Sequence, residues 1–365
     1  MSQNSNYTTK GTIEARTVVM LKAKALEVSD AELERFEERL EKLMMRRVYR
    51  RTLTSVGRRS FAVVLPKEWA KSNSLEPGDP VLIEVQSDGS LLLRPVISGQ
   101  RAAVQTTKVI GVGATLRREI TAAYLAGYDR IVLRSEEPLS STDREVVRRT
   151  VRGLTGAEVV SESNNEIEIQ VLLDTSAVEP EKVASRQNAL VANNIEIVAE
   201  AIAEWSADRA RVAIMMDEEI DRHYFTLVRA IRAYARSGRL PTVRLLDLRL
   251  VAKFVEDIGD RLVRISELIV SNALPKPSSE VLRDITERAR PLISTQNRAF
   301  ASFMGYQVQM AEEVIAEISA IIRSLAELEV TPGVQGDQRL LAILNELRRI
   351  AEDQIDIADI TAPAP

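Results

Sequence analysis

The amino-acid sequence predicts a multidomain α+β protein in which a short β-rich part precedes a long helical part. A chain of 365 residues is longer than one compact core requires, since domains typically contain about 100 to 200 residues. Short apolar runs bounded by Gly and Pro fill residues 46–98, strand and helix patterns alternate over 102–176, and helical periodicity extends over 183–361. We therefore expect a small β domain, a small α/β connector and an all-α bundle, preceded by an extension at residues 1–45.

The composition excludes several classes of site. The chain contains no Cys, which excludes disulfides, zinc fingers, iron–sulfur clusters and a cysteine nucleophile. Its one His, His223, is too few for a histidine-rich metal site or for a serine–histidine relay with a spare base. Hydrolase chemistry of the usual kind is therefore not expected. The sequence as a whole leads us to expect a protein that is not an enzyme and that uses no organic cofactor.

Charge and hydropathy indicate the compartment and the kind of partner. With 45% hydrophobic and 28% charged residues, the composition is ordinary for a globular protein. The amino terminus, MSQNSNYTTKG, is polar, and no apolar run approaches the roughly 20 residues that span a bilayer. A cytoplasmic protein without membrane insertion is the expectation. Because the net charge is −4, any contact with nucleic acid must come from a local basic segment.

The extension at residues 1–45 contains one helical pattern, SDAELERFEERLEKLMM, behind a Ser29 or Asp30 cap. The apolar positions that recur at helical spacing are Leu33, Phe36, Leu40 and Leu43. We expect a short amphipathic helix there, as part of a flexible extension or as a second oligomerisation element.

The β domain at residues 46–98 is a series of short strands. VYRRTLTSV and SFAVVL predict two strands, PKEWAKS one or two helical turns, and PVLIEV and SLLLRP two further strands. The dipeptide Asp88-Gly89 predicts a hairpin between the last two, because both residues tolerate positive φ. Pro66 suits the first turn of the short helix, where its missing N–H costs nothing. Trp69 is expected to anchor the core rather than to stack on a base.

The connector at residues 102–176 alternates strand and helix patterns in the order KVIGV, TLRREITAAYLAG, RIVLR, TDREVVRRTVRGLTG, AEVVSE and EIEIQVLL. Within it, GVGATLRRE places Gly111 and Gly113 before a helix, where glycines can cradle a phosphate. Neither Gly-Lys-Ser/Thr nor a third glycine at dinucleotide-binding spacing follows. A turn capped by Thr115 is therefore the expectation.

The helical part shows a repeat. Breaks are predicted at 237–241, 272–277 and 331–336, which leaves about six helices in two groups of three, at about 183–273 and 278–361. EDIGDRLVRISE begins at residue 256 and RRIAEDQIDIAD begins 92 positions later, at residue 348. The apolar positions of the two segments coincide while their charged positions differ, which indicates a duplication. Chance similarity between two amphipathic helices is the alternative.

A basic segment lies in this otherwise acidic chain. No acidic residue occurs between Glu41 and Glu68, but eight Lys and Arg residues do. The candidate DNA contacts among them are Arg46, Arg47, Arg50, Arg51, Arg58, Arg59 and Lys67. Arginines beside a two-stranded ribbon favour DNA binding, since such a ribbon fits the major groove. A solvated face, or arginines that balance acidic residues elsewhere, is the alternative.

The β domain is expected to be half of a larger unit, because about 50 residues bury too little apolar surface for comfortable stability. Its order of elements resembles the swapped-hairpin DNA-binding domain of the AbrB/SpoVT class. The residues that carry this resemblance are Gly57, Arg58, Pro66, Lys67, Gly78 and Asp79. The resemblance implies an intertwined dimer that uses its basic face on DNA.

Two carboxylate pairs occur in the helical part. Asp217 and Asp221 lie four residues apart, as do Glu256 and Asp260, so each pair shares a helix face. Like charges at this spacing repel, so the pairs need nearby cations or a solvated face. The candidate cations are Arg222, Arg261 and Arg264, with Asp260 and Arg264 expected to form an ion pair. The other interpretation is a metal site, because carboxylates on facing helices suit ions such as Mg, Mn and Fe.

Both pairs resemble the E(D)xxxD motifs of PhoU, the regulator of phosphate uptake, and the resemblance covers about 183–361. It implies two three-helix repeats whose carboxylates bind a divalent or trivalent metal ion: Fe, Mn, Mg or Zn. In the second repeat, Arg348 and Glu352 occupy the positions equivalent to Glu256 and Asp260. At most one metal site is therefore implied, and His223, which points about 200° away from Asp221 on a helix of about 3.6 residues per turn, is not expected to be a ligand.

The combined order of domains resembles archaeal PhoU-type regulators. It implies a DNA-binding transcriptional and signalling protein, a homodimer or larger homo-oligomer, that negatively controls phosphate transport and sensing. One alternative is an adaptor that docks on the ATPase of a phosphate ABC transporter or on a sensor kinase and does not bind DNA, with the swapped hairpin serving to dimerise it. A metal-dependent enzyme at Asp217 and Glu256 is the other, but the sequence supplies no nucleophile or well-placed general acid for it.

Overall fold

The computed structural model describes residues 49–57, 60–85, 89–96, 106–271 and 275–363. The chain divides into two compact units, Met1–Arg101 and Ala102–Pro365. The predicted extension at residues 1–45 lies outside the described residues. So do four of the candidate DNA contacts: Arg46, Arg47, Arg58 and Arg59.

The first unit contains two antiparallel hairpins and one short helix. In chain order its described elements are β1 Thr54–Val56, β2 Ser60–Ala62, α1 Lys67–Ser72, β3 Val81–Val85 and β4 Leu91–Pro95. β1 pairs with β2, and β3 pairs with β4. β1 is shorter than the strand predicted from VYRRTLTSV, because its register with β2 spans three residue pairs. Pro66 is the residue before α1 rather than a member of its first turn.

The hairpins of this unit leave apolar side chains in solvent. Phe61 is 73% exposed, Val64 70% and Val85 76%. No residue of α1 is buried, so the expectation that Trp69 anchors a core is wrong for the single chain, where its side chain is only half-buried. The physical reason is that two-stranded hairpins need a second layer before they can enclose a core.

The second unit begins with an α/β sheet. Its elements are β5 Thr107–Gly111, α2 Leu116–Ala126, β6 Arg130–Arg134, α3 Ser141–Arg152, β7 Ala157–Glu162 and β8 Glu166–Val171. The strand order is β5-β6-β8-β7, with β5 and β6 parallel and the other pairs antiparallel. The predicted order of strands and helices in the connector is confirmed. Thr115 precedes α2 but does not cap it, since its hydroxyl donates to Glu119 at 2.6 Å instead of accepting from a backbone N–H.

The bundle follows in the same unit, and the structure describes seven helices in it. They are α4 Pro180–Glu204, α5 Ala207–Ser237, α6 Thr242–Val270, α7 Ser279–Ala289, α8 Pro291–Met304, α9 Val308–Glu329 and α10 Gln338–Asp359. The count exceeds the expected six because Pro291, which has no N–H to donate to the previous turn, separates α7 from α8. Arg290 between them keeps helical φ and ψ of −52° and −43°, so the pair is one interrupted helix.

The two groups of helices share one apolar core. Ile258 on α6 and Ile350 on α10, which the repeat aligns, are both fully buried. α6 and α10 pack on each other, and Arg261 donates to Asp353 across this contact at 2.6 Å. None of the helices described in either unit combines the length and apolar character that a membrane crossing requires.

Candidate functional site

The four predicted metal ligands lie on two helices that pack together. Asp217 and Asp221 are on α5, and Glu256 and Asp260 are on α6. The negative charge of Asp260 contributes to raising the pKa of both α5 carboxyls, after the larger effect of burial. The structure therefore brings the two pairs into electrostatic contact.

A cluster of three carboxylates lies on α6. Oxygen atoms of Glu256, Asp257 and Asp260 all lie within 4.8 Å of one another. The sequence prediction did not include Asp257, although EDIGD contains it one residue after Glu256 and three before Asp260. Three carboxylates within little more than one helical turn form a concentration of hard oxygen donors.

Asp217 is the least compensated member of the site. Its Oδ1 is buried and has no hydrogen-bond partner among the described residues. Burial, reinforced by the charges of Asp221 and Asp260, raises the pKa of Asp217 to about 7. Gly259 on α6 faces this oxygen, and a Cβ at that position would lie 2.9 Å from Oδ1. Glycine thus allows α6 to approach the Oδ1 atom, to which no donor of the described residues bonds.

Lys253 supplies the positive charge that the α6 carboxylates contact. Its Nζ donates to Asp257 at 2.6 Å and also to Glu256. Burial opposes the ammonium charge, but these two hydrogen bonds hold the pKa of Lys253 above its usual value. The sequence prediction missed this residue, and the signal was its spacing of three and four residues before two acids.

The predicted ion pair between Asp260 and Arg264 is wrong. Arg264 lies 3.5 Å from Glu346 of α10 instead. The other expected cations also have different partners: Arg261 pairs with Asp353, and Arg222 pairs with Glu219. Arg261 and Arg264 turn toward α10 because that helix packs on α6 and carries acids at the contact, which the local spacing does not reveal.

His223 and Arg348 of the second repeat both have contacts away from the carboxylate pairs. Nδ1 of His223 lies 2.8 Å from the carbonyl oxygen of Glu219, one turn earlier on α5, so its own helix occupies that nitrogen. Arg348, at the position equivalent to Glu256, lies 3.5 Å from Glu329.

The donor set fits an oxygen-preferring metal ion. Asp217 offers an oxygen that has no hydrogen-bond partner within the described part of the chain, and Glu256, Asp257 and Asp260 offer oxygens that are already close together. Lys253 competes for two of these oxygens. A bound metal ion would therefore have to displace the Lys253 ammonium from Glu256, from Asp257 or from both.

The described candidate DNA contacts are Arg50, Arg51 and Lys67. All three are exposed, with Arg50 and Arg51 just before β1 and Lys67 at the start of α1. The Arg51 guanidinium lies 5.4 Å from the centre of the Tyr49 ring and donates to the carbonyl of Arg50 at 3.1 Å. Their exposure leaves these charges accessible to an anionic partner.

Comparisons with known proteins identify two parts of the chain. Residues 54–101 match the family model of the antidote-toxin recognition domain MazE, a bacterial antitoxin, and residues 184–269 match the model of the PhoU domain. No curated protein matches the chain.

Two solved structures are similar in fold to half of the chain. The phosphate transport system regulatory protein PhoU from Streptococcus pneumoniae is 18% identical, with a TM-score of 0.43 over 50% of this chain and 91% of that chain. PhoU from Pseudomonas aeruginosa is 16% identical, with a TM-score of 0.41 over 50% of this chain and 93% of that chain. On the two family-model matches, residues 54–101 are similar to a MazE/AbrB-like domain and residues 184–269 are similar to a PhoU domain.

Proposed function

We propose that this protein is a non-enzymatic, DNA-binding regulator that restrains phosphate uptake, with a metal-binding PhoU domain as its sensing half. The observation that carries the proposal is the position of the carboxylate site. Asp217, Asp221, Glu256, Asp257 and Asp260 all lie within residues 184–269, the segment that matches the PhoU model. The regulatory assignment comes from that domain, and the DNA-binding assignment comes from the MazE/AbrB-like segment and its basic residues.

The carboxylates would hold the metal ion between two helices. Asp217 and Asp221 would supply oxygens from α5, while Glu256, Asp257 and Asp260 would supply them from α6. When bound, an Fe, Mn, Mg or Zn ion would neutralise carboxylates that now repel one another. Because ligands come from both helices, metal binding would fix α5 against α6. A partner protein would then be able to distinguish the metal-bound domain from the metal-free domain.

The first unit would be completed by a second copy of the chain. Its hairpins expose apolar side chains, among them Phe61, Val64 and Val85, that one copy does not cover within the described unit. Burial of such surface is what drives stable association. The proposed protein is therefore a dimer or a larger homo-oligomer built on these hairpins.

Replacing Phe61 with Glu is expected to weaken self-association. Each dimer would bury two copies of this ring, and loss of about 1.5 to 3 kcal/mol per ring predicts a roughly 100- to 10,000-fold higher dissociation constant. Sedimentation velocity of the full chain over a range of concentrations measures this dissociation constant. Val330→Glu, at a 72% exposed position in the bundle, is the matched control and should leave association unchanged. Equal association of Phe61→Glu and wild type would contradict the proposed interface.

Replacing Arg50 and Arg51 together with Ala is expected to weaken DNA binding at every salt concentration. Each lost phosphate contact should also reduce the slope of log K against log salt by about 0.9. Fluorescence anisotropy with a duplex from the region upstream of this gene, between about 50 and 200 mM salt, measures both effects.

The control removes two arginines from the bundle, Arg232→Ala with Arg283→Ala, both at exposed positions. It should bind DNA as wild type does. If the wild-type protein shows no DNA binding at the lowest salt while remaining oligomeric, the adaptor function is favoured instead. In that case a pull-down with the transporter ATPase or the sensor kinase is the measurement to follow.

A further inference from the structure

A cavity of about 640 Å³ lies between the connector and the bundle, within the second unit. Its walls come from α2, α3 and α5 and from the turn after α3. Sites for small organic molecules typically occupy about 300 to 1,000 Å³. The volume therefore suits a ligand of nucleotide size and greatly exceeds a single phosphate ion.

One wall of this cavity carries positive charge. Arg117 on α2 and Arg149 and Arg152 on α3 line it together with one acid, Glu145 of α3, and the three arginine side chains are exposed. Among the described residues none of the three has an ion-pair partner within 4.0 Å, in contrast to Arg144 and Arg148 of α3, which pair with Glu162. Guanidinium groups that line one cavity without an ion-pair partner are suited to phosphate oxygens, which they bind by charge-assisted and often bidentate hydrogen bonds.

The wall formed by α5 combines acidic, basic and aromatic side chains. Glu218, Asp221, Arg222 and Phe225 line it. Arg222 pairs with Glu219 at 3.0 Å, and its Nε is buried without a hydrogen-bond partner in the described structure. Phe225 offers an aromatic ring, and the carboxylates can accept from hydroxyl or amino groups. This wall can thus receive the organic part of a ligand.

Apolar side chains complete the lining. Val146 of α3 and Leu154, just after α3, border the cavity together with Phe225. Gly111 and Gly113 do not border it, so the GVG turn is not part of this cavity; from GVGATLRRE the lining residue is Arg117. The sequence pattern alone did not indicate this arrangement, because α3 and α5 supply most of the walls.

We propose that this cavity binds a phosphorylated small molecule of nucleotide size, with its phosphates on Arg117, Arg149 and Arg152 and its organic part against Phe225. The ligand would touch the connector and the bundle at once. It would also contact Asp221, which lines the cavity and is one of the predicted metal ligands. Ligand binding would therefore affect metal binding through this one side chain.

Isothermal titration calorimetry of the full chain with ATP, pyrophosphate and inorganic phosphate, each with Mg²⁺, tests the proposal. We expect ATP to bind more tightly than pyrophosphate and much more tightly than inorganic phosphate. Arg149→Ala with Arg152→Ala should weaken ATP binding at least about tenfold, since each removes a charge-assisted hydrogen-bonding group. Both positions are exposed, so unchanged melting without ligand should confirm that the variant is folded.

Arg148→Ala is the matched control. Arg148 lies on the same helix but pairs with Glu162 at 3.4 Å and does not line the cavity, so this variant should bind ATP like wild type. Absence of ATP binding by the wild type would overturn the proposal. Equal ATP affinity in the double variant and wild type would also overturn it, as would binding of inorganic phosphate alone, because the ligand would then not be of nucleotide size.

Discussion

Replacing Asp217 with Asn is expected to stabilise the metal-free protein and at the same time to weaken metal binding. The substitution removes a charge whose Oδ1 is buried without a hydrogen-bond partner in the described structure and which Asp221 and Asp260 repel. The amide keeps the shape of the side chain, so Gly259 can still approach it. A buried, unpaired charge destabilises a fold, whereas an isosteric neutral group does not carry that cost.

The gain in stability should depend on pH. The folded carboxyl of Asp217, with its pKa raised to about 7, keeps its proton at pH values where an unfolded Asp, with a pKa of about 4, has lost it. Between these two values the unfolded chain binds fewer protons, so the wild-type free energy of unfolding decreases as the pH rises. Asn has no proton to lose. The advantage of the variant should therefore be larger at about pH 8 than at about pH 5.

Urea unfolding in EDTA at both pH values measures the stability. Calorimetry with Mn²⁺, Fe²⁺, Mg²⁺ and Zn²⁺ measures metal binding, where we expect at least about a tenfold loss of affinity for the ion that the wild type binds. Asp208→Asn is the control on the same helix, at a side chain 95% exposed, and should change neither quantity. A variant that is less stable than wild type, or that binds the ion equally well, would show that Asp217 has a different role.

Replacing Arg229 with Met is expected to lower the free energy of unfolding of the second unit by about 2 to 4 kcal/mol. This α5 side chain is 2% exposed. Its Nη1 donates to the carbonyl oxygens of Tyr124 at 2.5 Å and Tyr128 at 3.1 Å, at the end of α2. The guanidinium also lies 4.9 Å from the centre of the Tyr124 ring and 3.5 Å from Asp129. Met fills a similar volume but leaves these acceptors without their cationic donor.

Because Arg229 joins the connector to the bundle, its loss should also reduce the cooperativity between them. Urea unfolding followed by far-UV circular dichroism, with limited proteolysis to locate the first cleavages, measures both effects. Arg236→Met is the matched control, since Arg236 donates to the carbonyl of Ala126 near the same end of α2 but is exposed. This control should lower the free energy of unfolding by less than about 1 kcal/mol. Equal losses of stability in the two variants would show that the burial of Arg229 does not make its contacts more stabilising.

Several features of the fold were predictable because they depend on local spacing. The connector follows the predicted alternation of strands and helices, since each of its segments carries its own apolar period. The predicted duplication placed Ile258 and Ile350 at equivalent positions, and both are buried. The interruption at Pro291 was also within reach, because a proline inside a helical pattern predicts a break. The prediction placed breaks only at the stronger Gly and Pro clusters.

The candidate site was predictable only in part. Spacing of four residues identified the two carboxylate pairs, and the same rule applied to Lys253 would have found the cation that binds Glu256 and Asp257. The rule failed for Arg264, which has an acid four residues before it but pairs with Glu346, 82 positions after it. A local pairing rule compares side chains on one helix and takes no account of a neighbouring helix that offers a better-placed acid.

The sequence by itself determined the order of the domains' secondary structure, the absence of Cys-based chemistry, the basic segment and the pairing of carboxylates along α5 and α6. Only the tertiary structure decided which charges meet. Within the described residues it left Asp217 Oδ1 without a hydrogen-bond partner and turned Arg261 and Arg264 toward α10. It also buried Arg229 against the connector and placed Arg117, Arg149 and Arg152 around a cavity. The physical reason is that periodicity specifies which face of a helix is apolar, whereas the energy of a charge depends on solvent access and on partners that are distant along the chain.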